Sequence, residues 1–145
     1  MHVTITEDPT RNDIEIAVVA PRIDERVQRI VASLSAFDRQ LVGLRDGTTY
    51  RVPIDDVLYA ETVDGSTFLY TAEAVLETPL RLSELEDKLA GTEFVRASKQ
   101  MLVNFDHVRG IRPYLNARLQ LLLDNGEAAL VSRQYAPVLK RKLGL

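Results

Sequence analysis

The feature that most constrains this chain is a quick succession of short β-prone segments between residues 40 and 77. They are QLVGL (40–44), TYRV (49–52), VLYAETV (57–63), TFLYTA (67–72) and VLE (75–77). Short strands joined by turn signals specify an antiparallel, mainly β domain. Asp46-Gly47, Asp64-Gly65 and Asn125-Gly126 stand between such segments, and Asx-Gly pairs tolerate the positive φ that tight hairpins require. Pro53 with Asp55 and Asp56 reads as a single helical turn between two strands.

Leu80, Leu82, Leu85 and Leu89 mark a short helix near 82–90, with Ser83 and Glu86 at capping-box spacing. Then comes FVRASKQMLVN (94–104), where a polar cluster is braced by apolar residues on both sides. Rigid scaffolds present side chains to partners in this way. Arg96, Ser98, Lys99, Gln100 and Asn104 can all reach phosphate oxygens or base edges. Strands follow at 107–112, 117–123 and 127–131. Tyr135, Val138, Leu139 and Leu143 then have helical spacing. Pro137 lacks the N–H needed deep in a helix, so the regular part begins near it and Ser132, Arg133 and Gln134 form a turn at the helix start.

The front of the chain has a different pattern. HVTIT (2–6) and IEIAVV (14–19) have strand character and are expected to pair as a hairpin. Ile23, Val27, Ile30, Val31 and Leu34 have the spacing of an amphipathic helix that starts near Pro21 and Asp24. The periodic apolar residues stop at 35–38. Residues 1–37 therefore read as a β-β-α extension, serving dimerisation or regulation, and 38–145 as the main domain. A unit of the extension's size cannot bury its apolar face alone, so it is expected to pack on the following domain or on another copy of itself.

Composition narrows the function. The chain contains no cysteine, which excludes disulfides, thiolate metal sites and cysteine nucleophiles. His2 and His107 lack carboxylates at ligand spacing, no Gly-rich phosphate loop is present, and the serines sit in no nucleophile motif. No enzyme activity, metal or cofactor is expected. No apolar run approaches a bilayer span and no basic-then-apolar start follows Met1, so a cytoplasmic location is expected. The net charge of -3 hides an asymmetry: residues 36–90 carry five basic and eleven acidic side chains, residues 91–145 nine and four. A basic face is thereby suggested in the last third.

The order VLYAETVDGSTFLYT (57–71), RLSELEDKL (81–89), FVRASKQMLVN (94–104), HVRGI (107–111), LLLDNGE (121–127) and VSRQYAPVLKRKL (131–143) resembles the LytTR family of bacterial DNA-binding domains over residues 40–145. The resemblance implies an α+β, mainly β fold of about ten antiparallel strands in elongated sheets, with small peripheral helices. It also implies a transcription regulator that reads double-stranded DNA with loops rather than with a recognition helix. The family's base-reading positions would fall at or near Thr67, at Ser98, Lys99 and Gln100, and at Arg133 and Gln134, with Arg96, Lys140 and Arg141 as further DNA-binding candidates. Thr67 and Ser98 stand where His is common and Gln134 where a second Arg is frequent, so the target sequence does not carry over. The stretch before residue 38 is too short for a receiver domain, which makes the chain similar to stand-alone members. Such a regulator implies a homodimer on repeated half-sites and an association with a small membrane protein. The alternative expectation is a protein-interaction module that keeps the fold and binds an acidic or membrane-protein partner.

Overall fold

Side chains alternate across a strand with a period of two, and in this chain the alternation divides the apolar residues between two separate cores. The computed structural model describes residues 1–38 and 40–145, with backbone alone at Ser33 and residues 35–38. Its strands are β1 (Gln40–Arg45), β2 (Thr48–Pro53), β3 (Val57–Val63), β4 (Ser66–Thr71), β5 (Val75–Thr78), β6 (Phe94–Ser98), β7 (Met101–Asn104), β8 (Val108–Tyr114), β9 (Arg118–Leu123) and β10 (Ala128–Val131). The first seven form one sheet in the order β2-β1-β5-β4-β3-β7-β6, and the last three form a second sheet in the order β10-β9-β8. Every strand pairing is antiparallel. The helices are α1 (Glu25–Asp38), α2 (Leu82–Lys88) and α3 (Ala136–Lys142), with one-turn 3-10 helices at Ile54–Asp56 and Phe105–His107.

One face of the large sheet packs on α2, where Leu41, Val57, Leu69, Leu76 and Leu102 meet Leu82, Leu85 and Leu89. Near its other end the opposite face packs on the small sheet and α3, where Val95, Ala97 and Val103 meet Leu119, Leu121, Leu123, Val131, Ala136 and Leu139. Adjacent residues of β7 thus serve different cores: Leu102 serves the first and Val103 the second. Close approach of β1 and β5 requires Gly43, because a Cβ there would lie 2.7 Å from Leu76 Cβ.

Polar ties cross between the layers. Tyr59 stacks on Tyr70 with ring centroids 4.3 Å apart and donates its hydroxyl to Glu127 Oε2 at 2.9 Å. Burial, with the Glu127 bond, pushes the Tyr59 hydroxyl far above its ordinary pKa. His107 Nδ1 lies 2.8 Å from Asp124 Oδ2, and Nε2 lies 2.6 Å from the Asp55 carbonyl oxygen. A carbonyl and an ionised carboxylate only accept, so both ring nitrogens donate when the ring is protonated. Partial burial opposes that charge, but the Asp55 bond, the Asp124 bond and the nearby charges of Asp124 and Asp106 outweigh it, and the His107 pKa is raised. Asn104 is buried, with Nδ2 donating to the Val57 carbonyl at 3.0 Å and Oδ1 accepting from Asp106 N–H at 3.1 Å. It ties β7 to β3 and caps the following 3-10 turn.

The hairpin turns follow the sequence in two cases and depart from it in two. Asp46-Gly47 (φ 51° and 77°) and Asp64-Gly65 (φ 51° and 81°) are two-residue turns with both φ positive. At Asn125-Gly126 only the glycine has a positive φ, and Asn125 instead uses its side-chain oxygen to accept from Glu127 N–H at 3.0 Å. The β8–β9 turn reverses at Asn116 (φ 61°) and Ala117 (φ 59°) without a glycine. The left-handed alanine there costs about 1–2 kcal/mol. At α2 the cap is Glu84, which accepts the Arg81 N–H at 3.2 Å. Ser83 and Glu86, expected as the capping box, do not form it, and Glu86 pairs with Arg96 instead.

The chain separates into two compact units, Met1–Phe37 and Asp38–Leu145. In the first, α1 forms over most of the expected range, with Asp24 Oδ1 accepting from Val27 N–H at 3.1 Å. The expected hairpin does not form: residues 2–6 and 14–19 are not strands, and residues 1–26 are all exposed. A two-stranded hairpin with no covering layer is marginal in water. The segment between is held locally, as Asp8 accepts from Thr10 N–H, Thr10 Oγ1 and Arg11 Nε.

Candidate nucleic-acid interface

The turn between β6 and β7 is shaped from behind by Arg96. Its Nε donates to the Ser98 carbonyl at 2.7 Å, its Nη2 donates to the Lys99 carbonyl at 2.8 Å, and Nη1 lies 3.4 Å from Glu86 Oε1. Ser98 Oγ accepts the Gln100 N–H at 3.2 Å, and the Gln100 carbonyl accepts from Thr62 N–H on β3 at 2.9 Å. With its backbone fixed by these bonds, the turn directs the Lys99 and Gln100 side chains to solvent.

The second loop arrives from β10. Ser132 N–H donates to the Ala97 carbonyl at 2.8 Å, and the Ser132 carbonyl accepts from Tyr135 and Ala136 N–H at 3.0 and 2.9 Å. This turn leads into α3, where Pro137 occupies the first turn and needs no N–H partner. Arg133 and Gln134 are exposed between the sheet and the helix.

The Ala97–Ser132 bond brings the two loops together. Ser98, Lys99 and Gln100 line one cleft of about 450 Å³ with Ser132, Arg133 and Gln134. The lining has two cations, two amides and two hydroxyls and no carboxylate. Such a set can bond phosphate oxygens and base edges together.

Not every expected site residue is in the cleft. Arg96 lies outside the cleft lining and commits its guanidinium to the loop carbonyls and Glu86, which fixes the loop backbone. Asn104 is buried between strands, outside the cleft lining. Thr67 is 5% exposed, and its hydroxyl lies 3.2 Å from that of Thr62. The β3–β4 hairpin nevertheless abuts the Lys99–Gln100 turn through Thr62, and its exposed residues are Val63, Asp64 and Gly65. Lys140 and Arg141 are exposed on α3 outside the cleft lining. Ser132 lines the cleft although the sequence marked it only as part of a turn. Its place directly before Arg133 was the available signal.

Among the described residues, ten antiparallel strands, two small helices and loop-borne cations make up the unit that carries this cleft. The LytTr DNA-binding domain model matches residues 47–144, and the chain belongs to this family. A solved LytTr DNA-binding domain from Bacillus cereus superposes with a TM-score of 0.71 at 28% identity, covering 74% of this chain and 98% of that one. The sensory transduction protein LytT of Bacillus anthracis is 34% identical over 92 residues, 63% of this chain and 37% of that protein. This chain thus spans less than half the length of that relative. An uncharacterized HTH-type transcriptional regulator of Staphylococcus aureus is 25% identical over 147 residues, covering 100% of this chain and 98% of that protein. Among the described residues, no helix is long and apolar enough to cross a membrane.

Proposed function

We propose that this chain regulates transcription by placing the loops at residues 98–100 and 132–134 in the major groove of double-stranded DNA. The observation that carries this reading is the convergence of Lys99 and Gln100 with Arg133 and Gln134 in one cleft, although the two pairs lie far apart in sequence. An Arg guanidinium forks onto guanine O6 and N7, and a glutamine amide pairs with adenine N6 and N7. Arg133 and Gln134 are therefore the base readers, with Gln100 supporting them. Lys99 contacts phosphate from inside the cleft, and Lys140 and Arg141 do so from α3. One cleft spans few base pairs, so specific binding needs two copies on repeated half-sites.

The test is duplex affinity measured against salt for Arg133→Ala and Arg141→Ala. Loss of Arg133 should cost about 1–3 kcal/mol of discrimination between specific and random duplex. Loss of Arg141 should weaken both duplexes alike and reduce the salt slope by about 1. An affinity for duplex that does not change with salt would overturn the proposal.

A further inference from the structure

Charge is sorted along the small sheet. Residues 107–123 contain Arg109, Arg112 and Arg118 and no aspartate or glutamate. The flanking acids gather at one end: Val108 pairs with Leu123, Asp106 and Asp124 lie beside that pair, and Glu127 stands in the turn that follows β9. Tyr114 pairs with Arg118 at the opposite end, where the β8–β9 hairpin closes. This basic end is the one at which the sheet meets the cleft. Val131 pairs with Leu119 and Leu119 with Pro113, so the next residues along the three strands are Ser132, Arg118 and Tyr114. Leu119, Leu121 and Leu123 serve the core, and side chains alternate, so Arg112, Tyr114, Arg118 and Gln120 share the outer face. There Arg118 Cζ lies 5.0 Å from the Tyr114 ring centroid, a cation–π distance, and Nε donates to the Leu115 carbonyl at 2.9 Å. Arg112 Nε donates to Gln120 Oε1. Each bond takes Nε and leaves the paired terminal nitrogens of that guanidinium for another acceptor.

We infer that the β8–β9 hairpin is a further nucleic-acid contact, in which Arg118 and Arg112 donate to the sugar-phosphate backbone beside the bases reached by residues 98–100 and 132–134. This contact rests on the DNA reading of the cleft and extends it to a new surface. Phosphate is the acceptor that the chemistry selects, because the terminal nitrogens of a guanidinium make two parallel bonds to two oxygens of one phosphate. The spacing agrees. Neighbouring strands lie about 4.8 Å apart, so β9 and β8 stand about 5 and 10 Å to the side of β10. A loop centred in a major groove about 12 Å wide has a phosphate backbone about 6 Å or more to its side. Arg118 and Arg112 are thus offset from the loop that carries Arg133 by the step from groove to backbone. An acidic protein surface could also meet two arginines, but a duplex is the partner that reaches the hairpin and the cleft together.

The test is affinity over a salt series, for a duplex that the full parent chain selects from a random pool and for an unselected one. Arg118→Gln and Arg112→Gln should each lower the slope of log affinity against log salt by about 0.9, and the double variant by about 1.8. Both duplexes should weaken by the same factor. Arg118→Lys keeps a charge for phosphate and should restore the slope, which a role confined to the Leu115 bond would not allow. Replacing single phosphates by uncharged methylphosphonates leaves the protein intact. At the contacted positions this should weaken the parent chain and leave the double variant unaffected. A double variant with the parent's slope and affinity overturns the inference while the cleft reading stands. If the double variant keeps its duplex slope and loses binding to a polyglutamate peptide, the inference is also overturned and the hairpin belongs to an acidic protein. A parent chain that selects no duplex overturns the cleft reading first, and this contact with it.

Discussion

Arg96 can serve the proposed DNA-contacting loop either by touching phosphate or by holding the loop in place, and the two roles predict different outcomes for Arg96→Met. Its guanidinium donates to two loop carbonyls at 2.7 and 2.8 Å, with a 3.4 Å contact to Glu86. Hydrogen bonds to a charged group are worth about 1.5–3 kcal/mol each. The side chain is 19% exposed, so water replaces part of the loss, and the Glu86 pair, with its carboxylate 47% exposed, adds at most about 1 kcal/mol. The expected cost is about 2–3 kcal/mol, which lowers the melting temperature by roughly 10–20 °C for a domain of this size. Duplex affinity should fall because Lys99 and Gln100 lose their fixed backbone, yet the salt dependence should not change, since no phosphate contact is removed. Arg96→Lys keeps the charge but cannot fork onto both carbonyls, so it should rescue little. Thermal melts and fluorescence anisotropy over a salt series measure both quantities. An unchanged melting temperature with a salt slope smaller by about 0.9 would refute the positioning role and place Arg96 on phosphate.

Three further outcomes follow from particular contacts. Asn104→Ala leaves the Val57 carbonyl and the Asp106 N–H without their partner and should destabilise by about 2–4 kcal/mol in denaturant melts; a loss below about 0.5 kcal/mol would contradict it. Gly43→Ala puts a methyl 2.7 Å from Leu76 Cβ and should cost about 1–3 kcal/mol; combining it with Leu76→Gly, which removes that Cβ, should recover part of that, and strict additivity would argue against the clash. The His107 pKa is raised in the fold, so its contribution is fully present below the unfolded value near 6.5 and is lost as pH rises through the higher folded value. His107→Gln should remove that pH dependence, and parallel stability curves for the two proteins between pH 5.5 and about 8.5 would show that the Asp55–His107–Asp124 tie contributes nothing.

The sequence disclosed elements wherever local chemistry decided them. Asp46-Gly47 and Asp64-Gly65 tolerate positive φ with little help, and Pro137 tells where a helix can begin, so the first hairpins and α3 were legible. The Asn116-Ala117 turn was not, because an alanine at φ 59° is held by the pairing of β8 with β9 and not by its own preference. The hairpin expected at residues 2–6 and 14–19 failed for the opposite reason. Alternation gave those segments strand character, but strand character without a covering layer does not make a sheet. Residue type singled out Lys99, Gln100, Arg133 and Gln134, which line one cleft, yet it could not tell an exposed cation from one committed to its own backbone. Arg96 and Lys99 look alike in a list of charges, and only the carbonyls behind the turn distinguish them.

The way the cleft is assembled explains why its precision depends on residues remote from any ligand. Lys99 and Gln100 hang from β6 and β7, which feed Val95, Ala97 and Val103 into the second core, while Arg133 and Gln134 follow β10 and precede α3, which feed Val131, Ala136 and Leu139 into that same core. The direct backbone tie recorded between the two loops is the Ala97–Ser132 bond, and it lies at the edge of this shared core. The distance between the cations is therefore set by how the small sheet and α3 seat on the end of the large sheet. Close-packed interiors transmit small displacements rather than absorbing them. A cavity under Leu139 or Val131 would tilt one loop against the other without touching a functional side chain. The core on α2 has less leverage over Arg133, since it meets the cleft through β3, β6, β7 and the Arg96–Glu86 contact, on the side of residues 98–100. Truncations of equal thermodynamic cost in the two cores should thus differ in their effect on DNA discrimination, with those beside α3 the more damaging.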